Sequence, residues 1–147
     1  MRQLMRTENS AALTILRLVL GFLIFAHGSQ KMLGWFDGRG FTATMHLFTV
    51  NMHFPAPLAF LAIAAEFFGG MGLMLGLLTR VAAFAISVNM VVAIFKVHLP
   101  FGLFANWTGR QKGEGIEYHL LVLAITACLM IKGAGAFSFD RRIAGGR

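Results

Sequence analysis

The sequence predicts an all-α integral membrane protein, a four-helix bundle with a short amphipathic interfacial helix between its first and second spans. Composition is the first reason. Hydrophobic residues make up 57% of the 147 and charged residues only 13%, with a mean hydropathy of +0.71, far more apolar than an average soluble domain. Spacing is the second. The apolar residues gather in runs at 11–32, 57–78, 81–98 and 116–132, each near the roughly 20 residues that cross a bilayer at about 1.5 Å rise per residue. One domain over residues 1–147 uses nearly the whole chain.

The first run follows Arg2 and Arg6, and Ala26-His27-Gly28 weakly matches a signal-peptide cleavage site. Arg17 inside the apolar stretch, and the odd number of spans that cleavage would leave, argue for a retained helix. Gly34 to Gly40 is a turn-rich connector. After it, Phe41, Met45, Phe48 and Met52 recur at helical spacing beside a second stripe of Thr42, His46, Thr49 and His53. That pattern suits an amphipathic helix in the outer interface, either shielding apolar helix ends or folding over a ligand. Pro55 and Pro57 end it and open the second span.

The link Leu78-Thr79-Arg80 is so short that spans two and three must be antiparallel neighbours. Gly69, Gly70, Gly72 and Gly76, including Gly72-x-x-x-Gly76, permit close helix approach, within the chain or across a homodimer face. Trp35 and Trp107, the latter in the loop from Pro100 to Gly115, belong at the outer interface. Gly133-Ala-Gly135 ends the fourth span, and Phe137 to Arg142 form a basic tail.

The net charge of +7 and the pI of 10.9 do not indicate nucleic acid, because the basic residues sit at helix ends rather than in one patch. The lipid bilayer is the partner they indicate. Arg2, Arg6, Arg80, Lys132, Arg141, Arg142 and Arg147 fall on one side, against Lys31, Arg39, Arg110 and Lys112 on the other. By the positive-inside rule this is a multi-pass protein of the cytoplasmic (inner) membrane with both termini cytoplasmic. Cys128 is the sole cysteine, which excludes an intramolecular disulfide or a Cys-x-x-Cys centre.

Glu66, near the middle of the second span, is the most informative residue, since an acid at that depth costs about 2.5–3.5 kcal/mol unless it is paired, protonated or functional. Counting from the span edges places Arg17 about 9 Å and Glu66 about 14 Å deep. A buried Arg17–Glu66 ion pair is the expected arrangement; the alternative is an Arg17 that snorkels to the headgroups and leaves Glu66 alone. Toward the outer side lie His27, Lys31, Lys96, His98, Glu117 and His119. Periodicity selects Lys31, Asn89, Lys96 and Glu117, joined by His27 or His119 if helix ends unwind. Such a cavity suits a quinone head group, an anion or a proton-relaying water chain. The competing reading makes the helix-end charges simple interface anchors. Neither a metal nor haem is predicted, because His27, His119 and the carboxylates lack a paired His-x-x-x-His or Glu-x-x-His spacing.

Four ordered motifs carry a family likeness: Arg17-Leu-Val-Leu-Gly21 with His27-Gly28-x-x-Lys31; Glu66-Phe-Phe-Gly-Gly70 with Gly76-Leu-Leu-Thr-Arg80; Glu117-Tyr-x-Leu-Leu121; and Gly133-x-Gly135-x-x-Ser138-x-Asp140. From about Leu16 to Arg141 the chain resembles the DoxX family of small four-helix inner-membrane proteins. The resemblance implies a functional core of Arg17, Lys31, Glu66 and Glu117, with no catalytic residue to transfer. It also implies a redox setting, as a quinone-linked accessory subunit acting on a quinone. The alternatives are a non-catalytic scaffold that recruits soluble redox or oxidative-stress enzymes at the cytoplasmic face through Arg141, Arg142 and Arg147, and a small-solute or proton transporter. The last lacks an internal repeat or a broken helix.

Overall fold

Helix boundaries follow local chemistry. The computed structural model describes residues 4–145, so Arg2 and Arg147 of the charge count lie outside the described residues. The first helix, α1 (Ala11–Met32), starts at Ser10, whose Oγ accepts from Leu13 N (3.4 Å) as an N-cap. It is followed by α2 (Gly40–His46), α3 (Ala56–Leu75), α4 (Thr79–Ala93), α5 (Glu117–Lys132) and α6 (Phe139–Ile143). The helices α2 and α4 each run on into a wide π-type turn, Leu47–Asn51 and Ile94–His98, and the second of these leads into a 3₁₀ turn, Leu99–Phe101.

Three helical stretches are long and apolar enough to cross a membrane: Ala11–Met32, Ala56–Leu75 and Thr79–Phe101. With 16 residues, α5 is about 24 Å long, yet it completes a closed ring in which α1 packs on α3, α3 on α4, α4 on α5 and α5 on α1. Its first turn meets the end of α4, where the His98 and His119 rings are 4.2 Å apart. Its last turn meets the start of α1, where Glu8 N donates to Lys132 O (3.1 Å). Both described chain ends therefore lie at one end of the bundle. Large apolar side chains such as Phe22 (60% exposed), Phe84 (60%) and Leu121 (62%) face outward, as a lipid-facing surface requires.

The interior follows the periodicity. Leu13, Arg17, Leu20, Gly21, Ile24 and Gly28 are the buried stripe of α1, and Ala59, Ile63, Glu66, Gly70 and Leu73 that of α3. Between α4 and α5 a hydroxyl pair, Ser87 Oγ to Thr126 Oγ1 at 2.7 Å, spans the core. On α2 and its extension, Met45, Phe48 and Met52 of the predicted apolar stripe are half-buried and Thr42, His46 and His53 of the polar stripe face out, whereas Phe41 is exposed (38%) and Thr49 is half-buried.

Glycines set how closely α1 and α3 approach. A Cβ on Gly28 would meet the backbone of Glu66 (2.7 Å from its carbonyl carbon) and of Phe67, and one on Gly21 would lie 2.8 Å from Met74 N and 3.0 Å from Gly70 O. The Gly72-x-x-x-Gly76 pattern has a different role. Gly76 is the left-handed cap of α3 (φ +65°), with Leu77 N bonded to Gly72 O (2.9 Å) and Gly76 N to Leu73 O (3.1 Å), a Schellman turn. The second span, α3, thus ends at Leu75, and the link to α4 is Gly76-Leu77-Leu78, two residues earlier than the predicted one. Gly28→Ala should lower stability by about 2 kcal/mol through overpacking against backbone, read as a lower melting temperature in detergent. Gly72→Ala, whose Cβ would lie 3.1 Å from Leu77 O, should cost less.

Candidate functional site

The expected Arg17–Glu66 pair does not form. The Gly28 contact places Glu66 and Phe67 level with Gly28, and Arg17 lies 11 positions back along α1, about 16 Å at helical rise. Arg17 instead reaches the end of α3. Its Nη1 donates to Leu73 O (2.5 Å) and Met74 O (2.6 Å), its Nε to Ala134 O (2.9 Å) and its Nη2 to Phe137 O (3.4 Å). At 1% exposure it satisfies carbonyls that a helix terminus leaves orphaned, at the end where the helix dipole favours a cation. Asp140 does the converse for α4: Oδ1 accepts from Leu78 N (2.7 Å) and Oδ2 from Thr79 N (2.8 Å). A cation and an anion thus close the two sides of one turn. The Gly133-x-Gly135-x-x-Ser138-x-Asp140 motif delivers the anion, and Thr14 Oγ1, donating to Ala136 O (2.7 Å), pins it to α1.

The opposite end of the bundle gathers the remaining polar side chains. Lys31 lies one turn beyond Gly28 on the same stripe, with its side chain directed back along the helix toward α3. Its Nζ contacts Glu66 Oε1 (2.5 Å) and Oε2 (2.6 Å), and Asn89 Nδ2 donates to the same Oε1 (2.9 Å). The Glu66 side chain is 5% exposed and that of Lys31 30%, so the pair lies at the edge of the buried core. Charge and hydrogen bonds are matched on the carboxylate, which offsets its desolvation.

An aromatic roof covers this pair. The extension of α2 carries Phe48, and Phe54 N returns to donate to Phe48 O (2.9 Å) across His53, which holds φ +56°. The two rings are 6.2 Å apart. The Lys31 ammonium is 6.0 Å from the Phe48 centroid and the Lys96 ammonium 5.9 Å from that of Phe54, so a cation flanks each ring. On the first turn of α5, Tyr118 and His119 hold their rings 5.6 Å apart, the Tyr118 ring 6.0 Å from that of His27 and the His119 ring 4.2 Å from that of His98. The Tyr118 hydroxyl and His119 Nδ1 are buried with no hydrogen-bond partner among the described residues.

The predicted cluster is therefore partly assembled. Lys31 and Asn89 meet, on Glu66 rather than on Glu117. Lys96 is exposed and reaches the site only through Phe54. Glu117 is turned to the Pro100–Gly115 loop, where its Oε2 accepts from Ala105 N (2.9 Å) and its own N–H donates to Leu103 O (2.8 Å); this backbone work removes it from the cavity role. His27 is exposed, its ring 6.0 Å from Tyr118. His119 is buried and joins His98, which the wide turn at Ile94–His98 swings toward α5 and whose Nδ1 lies 2.8 Å from Glu114 O. Among the described residues no three His, Cys, Asp or Glu side chains converge to hold a metal. Helical spacing marks Phe48 as part of the amphipathic stripe but singles out neither Phe54 nor Tyr118. The signal for Tyr118 was its place as the sole tyrosine of an apolar chain, between Glu117 and His119.

Comparison with known proteins agrees with this architecture. An uncharacterised protein of Haemophilus influenzae is 30% identical over 88% of this chain and 89% of its own length. The "Putative oxidoreductase CatD" of Bacillus subtilis is 25% identical over 86% of this chain and 82% of its own. The inner membrane protein YqjF of Escherichia coli is 26% identical over 93% and 95%. No solved structure matches the chain. The DoxX family model matches residues 12–99, the stretch that holds Arg17, Lys31, Glu66, Asn89 and the aromatic roof, and the chain belongs to the DoxX family.

Proposed function

We propose that the site under the Phe48–Phe54 roof holds a quinone head group and that the protein serves as a quinone-linked redox accessory of the inner membrane. One observation carries this reading. Two buried hydrogen-bonding atoms, the Tyr118 hydroxyl and His119 Nδ1, have no partner among the described residues, although buried polar groups are nearly always satisfied. A planar ring with two carbonyl oxygens matches that inventory, with aromatic faces above and an apolar tail free to run into lipid. Reduction of a quinone to its quinol consumes two electrons, supplied by a soluble redox partner, and two protons. Glu66, held between Lys31 and Asn89, is the carboxylate beside the site that can pass a proton. The relative titled an oxidoreductase points the same way. Arg6, Arg80, Lys132, Arg141 and Arg142 gather at the terminal end, which supports cytoplasmic termini and a site toward the outer face.

The test is titration of the purified protein with decylubiquinone, read by tryptophan quenching and by native mass spectrometry. Wild type should bind, and Tyr118→Phe should weaken binding about fivefold, the worth of one hydrogen bond. The melting temperature of ligand-free Tyr118→Phe should not fall, because the hydroxyl makes no internal bond. Absence of quinone binding by wild type in several detergents and lipids would remove the reading.

A further inference from the structure

Phe137 stands 90% exposed at the terminal end of the bundle, followed on α6 by Phe139 (47%) and Ile143 (50%). We propose that these three side chains wedge the C-terminal segment into the bilayer, at the boundary between acyl chains and headgroups of the leaflet on that side.

The backbone is the first argument. Phe137 holds φ +50°, a left-handed conformation that a bulky residue rarely adopts and that persists only where its surroundings impose it. Here they do. Phe137 O accepts from Arg17 Nη2 (3.4 Å), while Ala136 donates its N–H to Ser10 O (3.1 Å) and accepts at its O from Thr14 Oγ1 (2.7 Å). Glycines take the two earlier positive-φ positions of the segment, Gly133 (φ +85°) and Gly135 (φ +79°). Position 137 instead carries a phenylalanine whose ring the protein leaves uncovered, and a large apolar side chain fixed outward in this way marks a contact outside the chain.

Level is the second argument. Asp140 N donates to Gly76 O (2.8 Å) and the Asp140 carboxylate accepts from Leu78 N and Thr79 N, so α6 starts on the turn between α3 and α4. The 20 residues of α3 rise about 30 Å, the thickness of the hydrocarbon core, which puts that turn at the bilayer edge rather than beyond it. Leu75, Leu77 and Leu78 around the turn are themselves exposed, so the apolar side chains of α6 continue the lipid-facing surface of the spans.

The pattern on α6 suits this level. Phe139 and Ile143, four positions apart, share one stripe, and Asp140 is turned into the bundle. The Arg142 guanidinium lies 6.0 Å from the Phe139 centroid, where its stem lets the charge reach lipid phosphates while the ring stays among acyl chains. The three apolar side chains together expose on the order of 350 Å², short of the roughly 800 Å² per partner of a stable protein interface. Insertion into lipid needs no such area.

Tryptophan fluorescence of the full-length protein in phosphatidylcholine bilayers tests the placement. Phe137→Trp is made together with Trp35→Phe and Trp107→Phe, which remove the two native indoles. Phosphatidylcholine brominated on the acyl chain close to the headgroup should quench the emission about threefold, and iodide in the water far less, because the ring sits beneath the headgroups. Should Phe137→Trp fail to fold, Phe139→Trp in the same background serves with the same expectation. Iodide quenching as strong as lipid quenching would put the ring in water, open to a soluble partner, and quenching by neither would put it under a second copy of the chain. Either result overturns the proposal.

Discussion

Arg17→Met is expected to remove most folded protein from the membrane fraction, and what remains should unfold at least 4 kcal/mol more easily, on the order of what a buried charged hydrogen-bonding group supports. Its four acceptors are backbone carbonyls of Leu73, Met74, Ala134 and Phe137. Methionine fills similar volume but donates nothing, so the carbonyls of Met74, Ala134 and Phe137 lose the guanidinium donor while Leu73 O keeps only Gly76 N (3.1 Å), and Asp140 loses the cation that faces it across the turn. Arg17→Lys separates charge from geometry. Lysine keeps the charge but replaces a planar fork by a single point, so it should recover part of the stability and not all. Unfolding of detergent-solubilised protein in SDS reads both variants. A wild-type transition for Arg17→Met would show that the guanidinium carries no structural burden.

The second large effect lies at the other end. Lys31→Met strands Glu66 with only Asn89 and should destabilise by about 3 kcal/mol, the scale for removing one partner of a buried pair. Glu66→Gln should cost less, since the amide oxygen still accepts from Asn89 and the half-exposed Lys31 can extend toward the headgroups. The double variant Lys31→Met/Glu66→Gln should be more stable than Lys31→Met alone, giving a coupling of about 1–3 kcal/mol in a double-mutant cycle. Additive losses would mean that the 2.5 Å contact contributes nothing to the folded state.

These two predictions also locate what was legible in the sequence. The helices, their order and their buried stripes follow from apolar periodicity, and α1 has the predicted bounds, Ala11–Met32. The partner of Glu66 did not follow. Depth was counted from the edges of apolar runs, which treats helices as flush, whereas the axial register is set by where Gly21, Gly28 and Gly70 let backbones touch. Lys31 was on the right stripe, but a residue placed at a helix end reads as an anchor unless its side chain is known to run back along the helix. The wide turn at Ile94–His98 is equally silent in sequence, and it alone brings His98 to His119. The motif of Gly133, Gly135, Ser138 and Asp140 was visible as spacing, yet its role as a cap for a helix some 60 residues earlier requires the fold.

That distant cap has a consequence for assembly. The hairpin of α3 and α4 leaves the ribosome well before Asp140 is made, so its turn enters the membrane with Leu78 N and Thr79 N open, held on one side only by Arg17. The tail arrives last and completes a turn in the middle of the chain. Order of synthesis and order of completion are thus reversed here, and the C-terminal segment acts as the closing latch of a bundle whose spans are already in place.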